Sequence, residues 1–241
     1  MQVDIKHSPA YAVARCHIPA GQTINVEAGA MSAQSLGINV ESKMEGGLLS
    51  AAKRALMSGD SFFVSKFTAP SSQNGWVEVA PGLPGDIFSL DIEPNQALIL
   101  TKGVWLASDL GVNLDPKMGG RGVFFGGEGL FVVKASGQGT LVGTAYGAIE
   151  VISLKQGEGF TLDTGHLVAY EEGMSVNVRK VSKGFLNSMK SGEGLVMDIQ
   201  GPGDVITQSR NPAAFGSWVT SLIPSSGGSG GSGGGFGGIF N

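Results

Sequence analysis

The chain repeats itself, and that self-similarity restricts its fold more than any other feature. Asp86 to Gly103, DIFSLDIEPNQALILTKG, aligns without gaps to Ala12 to Gly29, AVARCHIPAGQTINVEAG, and to Ala148 to Gly165, AIEVISLKQGEGFTLDTG. In each copy an apolar-rich strand meets a turn bearing Pro or Gly, and a second strand ends on glycine. AMSA, VWLA and HLVA follow, then a polar turn and INVES, VNLDP or VNVRK. Gly29, Gly103 and Gly165 share one position, and Ala33, Ala107 and Ala169 share another. The second half of the unit recurs as GGEGLFVVKASGQGTLVGTAYG from Gly126, as SGEGLVMDIQGPGDVITQS from Ser191 and, more loosely, as SGDSFFVSKFTAPSSQNGWVEVA from Ser58. Short strands punctuated by turn residues, recurring in three successive copies, predict an all-β protein of three tandem units.

The copies divide the chain into a first β repeat at 1–85 with a helical insertion near 47–58, a second at 86–147 and a third at 148–212. A C-terminal segment with a Gly/Ser-rich tail occupies 213–241. At 241 residues with 41% apolar composition there is enough apolar surface for a core, and the 40 glycines belong mainly to turns and to the tail. The single Cys16 excludes a disulfide framework within the chain; its aligned partners Leu90 and Ile152 are aliphatic, which predicts a buried structural thiol. The opening MQVDIKHSPAY is too polar for a secretory leader, and no apolar run is long enough for a spanning helix, so a cytoplasmic location is expected. A net charge of −4 and a pI near 5.4 argue against nucleic acid as a partner, because phosphate binding needs a basic face.

The repeats differ at their tips. LLSAAKRALMS, between Gly47 and Gly59, places Leu48, Leu49, Ala52, Ala55 and Leu56 on one face of a 3.6-residue period, with Lys53 and Arg54 opposite, and predicts an amphipathic helix. The third copy has GFLNSMKS there, a shorter helical turn, and the second has GGRGVFF with no helix. Residues 213–223 are read as a last short helix or strand.

No motif announces a chemistry. The GxG dipeptides, such as Gly137-Gln138-Gly139, lead into strands rather than a helix N-terminus and are read as hairpin turns, not phosphate cradles. GxSxG occurs only in the tail, around Ser229 and Ser232, where no strained elbow holds a nucleophile. His7, His17 and His166 lack metal-ligand spacing, so neither a metal nor a cofactor is expected. His166 follows an aligned glycine and, with Tyr170, Glu171 and Glu172, forms the candidate ligand-binding set. Asp60, Glu128 and Glu193 occupy one step of the three repeats. They either cap their own turns or, if that step faces a common axis, converge and require a cation or shared protons.

The tail SSGGSGGSGGGFGGIFN is flexible by composition but ends in Phe236, Ile239 and Phe240, which a pure linker does not need. These three are expected to act as a tethered anchor. The stretch from Ser225 to Phe236 spans about 20 Å as a random coil, enough to reach another subunit, a partner groove or, weakly, a membrane surface. The 47–58 helix is the other candidate for such weak membrane contact.

The succession AGAM at 28, SGDSFF at 58, PGDIFSLDI at 84, GVWLASDLGVNLD at 103, GGEGLF at 126, SGQGTL at 136, GHLVAY at 165 and GPGDVITQS at 201 resembles a prokaryotic family of unknown function. That family is related to the fungal altered-inheritance-of-mitochondria biogenesis protein and is similar in fold to the tryptophan RNA-binding attenuation protein. The resemblance covers residues 1 to about 212 and implies three attenuator-type β-sandwich lobes around a pseudo-threefold axis. It supplies no catalytic residues. The functional expectation is a non-enzymatic interaction or scaffold protein that binds a protein partner or itself. A small-ligand binder or enzyme with a cleft between lobes is the alternative, and RNA binding by analogy of fold ranks third.

Overall fold

The computed structural model describes residues 1–43, 64–118, 124–125, 128–129, 131–180 and 195–223. The helix expected at 47–58 and the turn near 184–191 lie outside the described residues. The chain forms two compact units, Met1–Asn211 and Pro212–Asn241.

The first unit is antiparallel β. Its strands are β1 (Gln2–Lys6), β2 (Val13–Ile18), β3 (Thr23–Glu27), β4 (Met31–Gln34), β5 (Asn39–Lys43), β6 (Val64–Thr68) and β7 (Gly75–Val79). There follow β8 (Gly85–Ile92), β9 (Ala97–Thr101), β10 (Trp105–Asp109), β11 (Val112–Met118), the short β12 (Phe124–Phe125) and β13 (Glu128–Gly129), β14 (Phe131–Gly137) and β15 (Gly139–Tyr146). The last are β16 (Ile149–Leu154), β17 (Gly159–Asp163), β18 (Leu167–Glu171), β19 (Ser175–Lys180), β20 (Leu195–Gln200) and β21 (Gly203–Gln208).

Two six-stranded sheets dominate, β5-β6-β3-β10-β15-β8 and β11-β14-β9-β18-β21-β16. A four-stranded sheet β1-β2-β7-β4 and a three-stranded sheet β17-β20-β19 contain the remaining long strands. The burial pattern follows from these positions. β2 and β7 each alternate between buried and half-buried residues, as strands with one face on a core do. β10 and β15 lie inside a sheet covered on both faces and are buried over four or five successive residues.

The two large sheets are joined internally in the same manner. β10 pairs with β3 through Ala107↔Val26, Ser108↔Asn25 and Asp109↔Ile24. β18 pairs with β9 through Ala169↔Leu100, Tyr170↔Ile99 and Glu171↔Leu98. On their other edge, β10, β18 and β4 each carry a register shift, between Trp105 and Ala107, Leu167 and Ala169, and Met31 and Ala33. The bulge therefore falls at the three aligned alanines, with one extra residue re-aiming the strand. Ala107 and Ala169 are fully buried.

The aligned glycines are less uniform. Gly29 and Gly103 take positive φ, +90° and +77°, which glycine adopts without a Cβ penalty. Gly165 sits in a 3₁₀ turn, Thr164–His166, whose N-cap Asp163 accepts the Gly165 N–H at 2.8 Å.

The Gly-Gln-Gly segment is not a hairpin. β14 already has β11 and β9 as neighbours, so both its edges are taken and β15 joins the other large sheet. Gly137 and Gly139, at φ +105° and +135°, make the corner between sheets. A Cβ on Gly137 would run into the Gly111 carbonyl. β6 and β20, each flanked by two partners, hand the chain to β7 and β21 in the same way.

The core forms three clusters. One lies around Ile18, Val26, Phe67 and Val77, a second around Leu100, Trp105, Leu141 and Ile206, and a third around Leu167, Met197, Ile199 and Val205. Cys16 is fully buried in the first, and burial pushes its thiol up to about 12. Among the described residues no helix is long and apolar enough to cross a membrane. The second unit contributes one described helix, α1 (Pro212–Leu222), with no buried residue and with the Phe215 and Trp218 rings 6.0 Å apart.

Candidate functional site

A cavity of about 460 Å³ opens where the end of β8 and the turn after it meet the ends of β18 and β21. Its apolar wall includes Phe88, Leu90 and Ile92 from β8, Leu98 from β9, Val151 from β16 and Ile206 from β21. Four carboxylates line it as well: Asp91, Glu171, Glu172 and Asp204. The strand ladders explain their convergence. Glu171 lies opposite Leu98 in the β18–β9 pair. The Glu172 N–H donates to the Ala97 carbonyl at 2.8 Å, fixing the end of β18 beside the start of β9.

Two of the carboxylates are engaged. Thr140 Oγ1 donates to Asp91 Oδ1 at 2.9 Å, and Lys134 Nζ donates to both Glu172 oxygens at 2.6 and 2.7 Å. The other two, Glu171 and Asp204, add negative charge beside apolar surface. Such a cavity suits an organic cation with an apolar body better than an anion. Among the described residues no group of three or more His, Cys, Asp or Glu side chains is arranged to hold a metal ion.

The residues singled out from the sequence divide. Glu171 and Glu172 line the cavity, whereas His166 and Tyr170 do not. His166 Nδ1 lies 2.7 Å from the Gln208 carbonyl oxygen. A carbonyl only accepts, so Nδ1 carries the proton and the imidazole is oriented by backbone rather than by a carboxylate. Gln208 Nε2 in turn donates to the Gly165 carbonyl at 2.9 Å. Tyr170 packs on the third core cluster. Burial, and then the Glu172 charge, raise its phenol above the ordinary range.

Asp60 and Glu193 lie outside the described residues. The Glu128 backbone pairs with Phe125 in the β12–β13 ribbon. The tail residues Phe236, Ile239 and Phe240 are also outside. Sequence reasoning missed Asp91 and Asp204, which stand on separate strands far apart in the chain; Asp91 aligns with His17 and Ser153, so no repeated carboxylate marks its position.

Comparison with known proteins places this geometry in a lineage. The model of the mitochondrial biogenesis AIM24 family matches residues 3–210. The chain belongs to that family. An uncharacterized protein of Streptococcus pyogenes serotype M6 is 28% identical over 234 residues, covering 94% of this chain and 92% of that one. The crystal structure of a Streptococcus pyogenes protein superposes with a TM-score of 0.77 at 25% identity, covering 92% of this chain and 99% of that one.

The AIM24 match takes in nearly all of the β unit, including both sheet junctions and every residue lining the cavity, and stops short of α1. Membership therefore speaks for the β unit as a whole rather than for one site within it. No activity comes with it.

Proposed function

We infer that this AIM24-family chain is a non-enzymatic interaction or scaffold module, built from three serial β lobes of the attenuator-protein type. The observation that carries the reading is the recurrence of one junction. Val26 and Leu100, which share a position in the aligned repeats, face Ala107 and Ala169, which share another. The lobes are thus linked by backbone ladders in a fixed register, independent of any ligand. The strand sets β5-β6-β3, β11-β14-β9 and β19-β20-β17 have one order, which supports reading them as equivalent. A pseudo-threefold arrangement calls for a third junction, between β17 and β4. Catalytic work for His166 is disfavoured because a backbone carbonyl, not a carboxylate, orients its ring. A single buried thiol is consistent with a cytoplasmic setting.

The cavity supports a second reading, a small-ligand binder for a cationic, partly apolar molecule held by Glu171 and Asp204. RNA ranks behind both, given the net charge of −4 and this acidic cavity. Native mass spectrometry of the untreated full chain separates the first two. A scaffold gives masses of the chain and its multiples alone. A small molecule retained in stoichiometric amount, and lost in Glu171→Gln, favours the second.

A further inference from the structure

The first repeat covers a sheet edge that the second leaves open. β2 and β8 are the first strands of their aligned copies. β2 is flanked by β1, in the register Gln2↔His17, Val3↔Cys16, Asp4↔Arg15, Ile5↔Ala14 and Lys6↔Val13, whereas β8 has β15 as its one sheet neighbour among the described residues. The side chains follow suit. Ala14 and Cys16 are 0% exposed, while their counterparts Phe88 and Leu90 are half-exposed. The Thr144 N–H donates to the Val104 carbonyl and the Thr140 N–H to Asp109, so both turn away from β8. Alternation along the β8–β15 ladder then points the backbone N–H and C=O of Ser89 and Asp91 to the open side of β8.

The cavity is the counterpart of the place that Met1 and β1 occupy. Ala107 faces Val142 as Ala169 faces Ile206, so Asp109 corresponds to Glu171 and Thr140 to Asp204. In the first repeat the Met1 ammonium donates to the two Asp109 oxygens at 2.8 and 3.0 Å, and Thr140 Oγ1 donates to the Met1 carbonyl at 3.3 Å. Met1 and Val3 pack on the first core cluster. Beside β8 the corresponding carboxylates, Glu171 and Asp204, line the cavity of about 460 Å³ instead.

We propose that this cavity is a strand-addition site, where an extended segment of a partner protein pairs antiparallel with β8 and sets a cation on Glu171 and Asp204. The β1 register carried onto the aligned positions gives the match. The cation comes first, and the next five residues face Asp91, Leu90, Ser89, Phe88 and Ile87 in turn. The third and fifth residues are apolar, as Val3 and Ile5 are, because they extend the second core cluster on which Phe88 and Leu90 pack. In such sites main-chain bonds provide affinity and alternate side chains provide selectivity. Charge and connectivity favour a partner over the chain itself. β1 is already paired with β2, the tail from Ser225 contains no Lys or Arg, and the connections β5 to β6, β11 to β14 and β19 to β20 each join neighbours at the far end of a sheet. The inference rests on the interaction-module reading above and names its class of partner.

The test uses the isotope-labelled full chain and the peptide MQVSIK, with a free amine and an amidated C-terminus. This probe keeps the β1 pattern but replaces its aspartate, whose partner Arg15 is Ser89 here. Saturable binding is expected, with amide exchange at Ser89 and Asp91 slowed about tenfold or more as their N–H groups enter a ladder. Acetylating the peptide amine, or Glu171→Gln in the protein, should each weaken binding about tenfold, with little further loss when the two are combined. N-methylation of the fourth peptide residue, whose N–H faces the Ser89 carbonyl, should abolish binding, while N-methylation of the third, which points away, should not. Absence of binding at millimolar peptide overturns the proposal, as does binding that leaves the Ser89 and Asp91 amides unchanged. Slow exchange at both amides without peptide overturns it too, since the edge is then covered by the chain or by a second copy. These failures leave the interaction-module reading to its own test, the retained small molecule.

Discussion

The two internal junctions share a geometry and differ in chemistry. At β3–β10 the pair beside Val26 and Ala107 is Asn25 with Ser108, both buried, and neither Asn25 Oδ1 nor Ser108 Oγ has a partner among the described residues. At β9–β18 the equivalent pair is Ile99 with Tyr170. One junction tolerates buried polar atoms and the other fills the same place with an aliphatic chain and a ring. What both keep is the backbone ladder, a small residue just after a bulge, and an aliphatic side chain facing it. Close backbone approach, rather than a particular side-chain pair, defines the joint.

The largest test of that view contrasts a junction with a free edge. Leu100→Ala empties a fully buried position and is expected to cost about 2–5 kcal/mol. Leu162→Ala, at the aligned but less deeply buried position of β17, where the side chain packs on the third core cluster, is expected to cost about 1–2 kcal/mol, since less apolar surface is lost from burial. Urea midpoints at low protein concentration measure both. Equal losses would mean that β17 is as deeply packed as β9.

A second contrast adds volume instead of removing it. Ala107→Val and Ala169→Val insert methyl groups at completely buried positions, and each is expected to destabilise by about 1–3 kcal/mol. Ala33→Val, on an open edge, is expected to fall within about 0.5 kcal/mol of the parent. Thermal melts of the three variants decide whether the small residue is required by the junction or only inherited with the repeat.

The polar pair allows a finer comparison. Ser108→Ala removes a completely buried hydroxyl that makes no hydrogen bond among the described residues. Deleting an unsatisfied buried group is expected to leave stability unchanged or raise it by about 1 kcal/mol. A loss greater than that would reveal a hydrogen bond at the first junction and bring its energetics closer to the second.

Much of the fold was legible because the repeat is written in turn glycines and apolar alternation, both local. Strand identity in all three copies, including the first-copy strands around Cys16 and Val77, follows from period-two patterns visible in sequence. Which strands become neighbours did not follow. Val26 and Ala107 lie far apart in the chain, and nothing in either segment names the other. The Gly137-Gln138-Gly139 segment shows the same limit, for its glycines state a sharp turn without saying whether the strands it connects share a sheet. Gly165 escaped the pattern of Gly29 and Gly103 because Asp163 supplies a local cap that its aligned counterparts, Glu27 and Thr101, do not provide in the same form. The cavity was half legible: Glu171 and Glu172 stand together at the end of a strand, while Asp91 and Asp204 reach it only through the tertiary fold.

The smallest expected effect concerns the second junction, where Tyr170 beside Ile99 connects the joint to the cavity. Glu172→Gln removes the exposed ion pair with Lys134, with a change of only about 0–1 kcal/mol at neutral pH. Its signature lies at alkaline pH. Burial holds the Tyr170 phenol above its ordinary value of 10.0, and the Glu172 charge raises it further. Above pH 10 the unfolded chain releases this proton while the folded chain retains it, so stability falls as pH rises toward the folded value. Glu172→Gln withdraws the smaller cause and leaves the larger, burial, in place. The folded phenol should therefore titrate lower than in the parent but still above 10, and the alkaline decline should be shallower. Ultraviolet titration of the folded parent and of the variant, compared directly, measures the shift. An unchanged titration would mean that the Glu172 charge is fully neutralised by Lys134 and that the polar rim of the cavity is electrostatically separate from the second junction.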